Sequence, residues 1–294
     1  MIKFEPTVNR RYYVYGAVFQ FICLITNVAA LVILVHLLLS ITASGIPHLT
    51  TDFLTNPPSR FPEKSGIFPA IMGTIWNMSL TGFFAIGVGM TAAIYLEEYS
   101  SHSNRFVQFI KINIQNLAGV PSIIYGILGL TLFVRWMGLG RSVIAGALTM
   151  ALLILPTITI ATQEALRAVP DSFRFGGYGI GMTRWQVVKY QVLPVAMPGI
   201  LTGVIIGLSR AIGETAPLIM IGALTYVAFA PSSIMDGFTV LPIQIFNWAS
   251  LPQKGFHDIS AAAIIILLAV LLSMNAVAIY LRIFFQRKLS SLHG

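Results

Sequence analysis

The chain has 294 residues, of which 18 are Lys or Arg and 10 are Asp or Glu, so 10% are charged while 56% are hydrophobic. Soluble domains carry about 25% charged residues, so this composition excludes a water-soluble globule, and its apolar content excludes intrinsic disorder. An all-α polytopic membrane protein remains, in which a net charge of +8 reads as basic residues on cytoplasmic loops and not as affinity for nucleic acid.

A helix needs about 20 mostly apolar residues to cross the ~30 Å hydrocarbon core. Six segments qualify as transmembrane helices: 16–41, 68–95, 118–134, 143–161, 195–224 and 259–285. The first contains the single cysteine, Cys23, which rules out a disulfide framework. It is also longer than the ~7–15 apolar residues of a signal peptide, so it is expected to be retained. The second ends at Glu97 and Glu98, the expected inner boundary. An amphipathic lead-in over 105–116 precedes the third, with a helix break expected at Gly119 and Pro121. Asn116, Ser122 and Tyr125 flank that break, and helix packing is the simpler reading of them than a path. The segment 240–248 is too short to span and is expected to pack at the outer surface. With the N-terminus inside, twelve basic residues fall on inside segments and five on outside ones, which places both termini in the cytoplasm.

The inside loop 164–194 reads EALRAVPDSFRFGGYGIGMTRWQVVKYQVLP. Asp171 is a candidate N-cap, and Thr183 with Gln186 forms a candidate capping box. Gly176, Gly177, Gly179 and Gly181 make a poor isolated helix, so a tertiary or partner contact is expected to hold them. Pattern alone fits a membrane-surface helix equally well.

Arg210 and Glu214 are the full charges well inside a span. Their i, i+4 spacing puts them on one helix face, ~6 Å apart along the axis. Pro217 disturbs the helix one turn back, at Gly213, where a kink is expected. Arg210 could face a path and attract an anion, with Glu214 orienting it and Thr215 beside it. A structural ion pair between helices is the alternative.

The loop resembles the coupling segment of ABC importer permeases. Its motif reads EAA, three residues, Gly, nine residues, a branched apolar residue, any residue, Leu-Pro. Gly181 and Leu193-Pro194 match, whereas Phe175, Gly176 and Gly177 occupy the triplet and depart from it. Segments 116–126 (NLAGVPSIIYG), 164–172, 210–218 (RAIGETAPL) and 241–245 resemble phosphate permeases, and Ala216-Pro217-Leu218 resembles their PstA-type subunit.

The resemblance implies an ABC importer type I permease fold in the cytoplasmic (inner) membrane. A single permease domain would cover 16–285, between cytoplasmic segments 1–15 and 286–294. It implies transport of phosphate, with sulfate or molybdate as alternative oxyanions and a secondary transporter as the alternative class. Expected partners are a second homologous permease, two ATP-binding subunits, an extracytoplasmic phosphate-binding protein and lipid. Arg174, Phe175, Gly176, Gly177, Tyr178, Gly181 and Trp185 would couple to the ATPases, and Arg210, Glu214 and Thr215 would line the path. The chain has no G-x-x-x-x-G-K-[ST] sequence and no Cys-pair or H-E-x-x-H spacing, so no ATPase site, metal or cofactor is expected in it.

Overall fold

The computed structural model describes residues 10–100, 104–223 and 226–290, and all regular structure among them is helical. Residues 1–9 and 291–294 of the expected terminal segments, and Leu224 at the expected end of the fifth span, lie outside the described residues. Five helices are long and apolar enough to cross a membrane, and a bent pair makes a sixth candidate.

The first helix, α1 (Arg10–Gly45), is exposed along most of its length. Three of its polar side chains bond back along it: Thr26 donates to the Ile22 carbonyl, Asn27 to Cys23 and Thr42 to Leu38, at 2.9, 2.8 and 2.6 Å. Back-bonding of this kind lets a polar side chain sit in lipid. A short helix, α2 (Thr51–Thr55), is capped by Thr50, whose hydroxyl accepts from the Phe53 N–H. Next come α3 (Phe68–Ile94), prolonged by a π turn over Tyr95–Tyr99, and α4 (Arg105–Ala118).

The break expected at Gly119 and Pro121 is present, as a sharp corner ahead of the third span. Helix α4 and α5 (Ser122–Gly129), which runs on as a π turn to Trp136, bend by 106° around residues 119–121. Pro121 cannot donate a backbone hydrogen bond, and the Tyr125 hydroxyl reaches back to the Leu117 carbonyl at 2.7 Å, closing the corner.

Helix α6 (Val143–Arg167) is the axis of the bundle, with Met150, Ile154 and Ile158 fully buried. After α7 (Asp171–Gly179), α8 (Arg184–Val187) continues through a π turn into α9 (Leu193–Gly213). Gly199, Gly203 and Gly207 recur every fourth residue on α9 and all meet α6. A Cβ at Gly199 would lie 2.8 Å from that of Ala165, and one at Gly203 would collide with Ala161. Without a hydrophobic drive between helices in lipid, such close backbone approach is what holds two spans together.

The chain ends with α10 (Ala216–Ile221), α11 (Leu241–Ala249) and α12 (Lys254–Ser290). Helix α11 buries Leu241, Ile243 and Trp248, and Trp248 packs on Phe53 of α2 with ring centroids 6.0 Å apart. The loop before it is tied down. The Asp236 and Ile234 carbonyls accept from the Val143 and Ile144 N–H groups at 3.0 and 2.9 Å, so they satisfy free donors at the start of α6. The N–H groups of Ser232 and Ser233, then the Ser232 hydroxyl, hold the Asp236 carboxyl below the usual carboxylate range.

Candidate functional site

Two regions gather the residues singled out from the sequence. One lies where α9 stops, with Arg210 exposed on the side of the bundle. The fifth expected span has a full break and not a kink: α9 ends at Gly213, Glu214 is extended (φ −82°, ψ 119°), and α10 begins at Ala216 with Pro217 in its first turn. Pro217 lacks an N–H and so starts a helix better than it continues one. Helix α10 packs tightly on α5, where a Cβ on Gly126 would lie 2.7 Å from that of Met220 and 2.8 Å from Pro217 Cα. The two breaks, at 119–121 and 214–215, therefore belong to neighbouring helices. Irregular backbone at membrane depth persists only inside protein or beside a wet cavity.

Arg210 stands one turn before this break, ~26 Å along α9 from Leu193. Its Nε lies 3.6 Å from Glu214 Oε1, with side-chain exposures of 45% and 23%. That distance exceeds hydrogen-bond range, so the pair neutralises charge without consuming the guanidinium donors. Tyr125 of α5 lies within electrostatic reach of Arg210. Thr215 is half-buried beside Glu214, and its carbonyl accepts from the Ile219 N–H at 3.0 Å.

The second region is the end of the bundle that carries α7. Asp171 is the first residue of α7, not its cap: Pro170 precedes the helix, and the Asp171 carboxylate accepts from Arg174 Nη1 at 3.2 Å. It still favours the helix start through the dipole. Thr183 and Gln186 form the reciprocal capping box, with the Thr183 N–H donating to Gln186 Oε1 at 2.8 Å. Between the two helices Gly181 takes φ +82°, which an L side chain rarely adopts.

Arg174 is turned inward. Its Nη2 donates to Glu98 Oε1 (2.7 Å) and the Leu166 carbonyl (2.9 Å), and its Nη1 to the Val169 carbonyl (2.8 Å). The hydrogen bond that Arg174 donates to Glu98 raises the affinity of this guanidinium for its proton. Beside it, Glu97 takes Arg167 at 2.7 Å and Lys111 at 2.9 Å. Helices α3, α4, α6 and α7 are thereby joined through two adjacent carboxylates.

The rest of the segment faces outward. Phe175 and Ile180 are 71% and 73% exposed, and Tyr178 and Trp185 are also exposed. Gly177 is packed, since a Cβ there would lie 2.8 Å from Val187, but a Cβ on Gly176 would meet open space. A cleft of about 480 Å³ between Glu97, Arg167, Arg174, Phe175 and Arg184 separates this surface from the bundle. Sequence reasoning missed the Glu97 and Glu98 networks. The local signal is the acidic pair itself, because its two arginine partners lie 70 and 76 residues away in the chain.

Residues 85–290 match the family described as the binding-protein-dependent transport system inner membrane component. The chain is 31% identical over 270 residues to the phosphate transport system permease protein PstA 1 of Mycobacterium tuberculosis (strain CDC 1551 / Oshkosh), covering 89% of this chain and 86% of that protein. It is 30% identical over 258 residues to a probable phosphate transport system permease protein PstA of Methanocaldococcus jannaschii, covering 87% and 90%. Among solved structures, a chain of the inward-facing MetNI methionine ABC transporter superimposes with a TM-score of 0.61 at 15% identity, covering 74% of this chain and 97% of that one. That likeness concerns the fold.

Proposed function

Because the chain belongs to the binding-protein-dependent transport system inner membrane components, a multi-pass membrane family, we propose that it forms one half of the translocation path of an ATP-driven phosphate importer. A second, homologous permease supplies the other half. Two ATP-binding subunits sit on the cytoplasmic side, against α7 and α8, and a phosphate-binding protein docks at the opposite face. Both termini are cytoplasmic in this arrangement.

One observation carries the anionic substrate: Arg210 stands at a helix break at membrane depth, and among the described residues a single carboxylate pairs with it, beyond hydrogen-bond range. A guanidinium offers planar paired donors that suit the oxygens of a tetrahedral oxyanion. The relatives named for phosphate transport narrow the oxyanion to phosphate. Glu214 keeps Arg210 oriented and limits how tightly an anion is held, so the ion can leave. When the ATPases close, they move the segment 175–186, and the helices joined through Glu97 and Glu98 rock with it.

Competition tests the substrate. Labelled phosphate uptake into vesicles bearing the assembled importer is expected to fall with excess unlabelled phosphate and to persist with equal excess sulfate or molybdate. Displacement by sulfate or molybdate at the same concentration would assign the chain to another oxyanion.

A further inference from the structure

A second guanidinium enters the same bundle. Arg282 lies near the end of α12, where a basic residue would ordinarily reach out to lipid headgroups. It does the reverse. Its Nη1 donates to Thr202 Oγ1 on α9 at 3.3 Å. Further along the same seam, Ser209 Oγ donates to Asn275 Oδ1 at 2.8 Å. The two contacts step together along antiparallel helices, from 202 to 209 on α9 and from 282 to 275 on α12. The depth of Arg282 is thereby set by Thr202, ~13 Å along α9 from Leu193. The Cα–Cβ bond of a helical residue tilts toward the helix N-terminus, which for Arg282 is into the span.

The donors of Arg282 are mostly unspent. Nε is buried without a hydrogen-bond partner, and among the described residues no carboxylate lies within ion-pair distance of this side chain. Thr202 cannot neutralise it. The threonine hydroxyl gives its own hydrogen to the Pro198 carbonyl at 2.9 Å and offers Arg282 only a lone pair. The side chain is half-buried, and its buried Nε without a partner leaves a cation that an anion would complete.

We propose that Arg282, held at the α9–α12 seam by Thr202, is an oxyanion site for a phosphate group. It lies apart from Arg210, which sits about 12 Å further along α9 and about 80° around it from Thr202. A phosphate group can come from the transported ion, which makes Arg282 a second station of the path, or from an anionic lipid headgroup lodged in the seam. The first source rests on the function proposed above; the second does not.

The test uses the complete assembly in phosphatidylcholine liposomes, with and without phosphatidylglycerol, and compares wild type with R282Q, R282K and T202V. For the transported ion, R282Q raises the KM for phosphate about tenfold or more in phosphatidylcholine alone, R282K retains most of the wild-type behaviour, and T202V, which frees the guanidinium from its seat, falls between wild type and R282Q. For the headgroup, phosphate KM in phosphatidylcholine is unchanged, and R282Q abolishes the stabilisation against heat that phosphatidylglycerol gives wild type. Two results overturn the site: R282Q matching wild type in both readouts, or R282K as impaired as R282Q, which would mark a packing role. If wild type moves no phosphate, the proposed function fails. The unfolding arm on the same samples still decides Arg282, since equal lipid stabilisation of wild type and R282Q then removes the site.

Discussion

Replacing Arg210 by glutamine is expected to cut ATP-driven phosphate uptake at least about tenfold while leaving the abundance of the chain in the membrane unchanged. Hydrogen bonds to a charged group contribute roughly 1.5–3 kcal/mol, and each ~1.4 kcal/mol is tenfold in affinity. The substitution keeps a polar side chain, shorter than arginine, but removes the positive charge and the fork. Folding should survive, because the Arg210–Glu214 contact is a 3.6 Å ion pair between partly exposed groups, and such pairs contribute little to stability. The packing that holds this region is elsewhere, in the α5–α10 contact at Gly126 and Pro217. Wild-type uptake by the glutamine variant at wild-type abundance would reduce Arg210 and Glu214 to a structural pair.

Deleting residues 175–181 is expected to abolish co-purification of the ATPase subunits. A milder pair of changes, F175E and I180E, should weaken the same association severalfold or more without unfolding the chain, because both side chains are over 70% exposed and project from the bundle. Arg174 makes the contrast. It lies in the same helix but spends its donors on Glu98 and on two carbonyls, so it positions α7 and does not present it. R174M should leave the docking surface intact and break its link to α3, and the loss of transport should then exceed the loss of ATPase binding. Full recovery of ATPases by the deleted chain would place the coupling surface elsewhere.

The long spans were legible because an apolar run of more than 20 residues has few other uses. Their ends and bends were less so. Pro217 announced a disturbance near Gly213, yet whether a proline kinks a helix or ends it depends on what receives the next segment; here α5 offers Gly126 to α10, and the helix ends. The break at Gly119 and Pro121 was legible from the proline, but not its 106° angle, which the Tyr125 hydroxyl helps to fix from the next helix. In the candidate coupling segment the glycines were visible as a group, but their separate duties were not. Gly181 needs its positive φ, Gly177 is crowded by Val187, and Gly176 meets open space.

Charges that act across the chain were the hardest to place. Glu98 and Arg174 are 76 residues apart, as Thr202 and Arg282 are 80, and no local pattern joins them. Arg282 stood among the inside basic residues from its position near the end of a span, and only its bond to Thr202 reveals that it points inward. The stripe of Gly199, Gly203 and Gly207 was present as a four-residue repeat, but its partner, α6, had to be seen.

The most direct measurement is phosphate accumulation in liposomes carrying the chain with its permease partner, both ATPase copies and the binding protein, each component omitted in turn. ATP-dependent accumulation that requires every component, and that stops when this chain is left out, is the predicted result. Phosphate movement by this chain alone without ATP, or accumulation unaffected by its omission, would contradict the account.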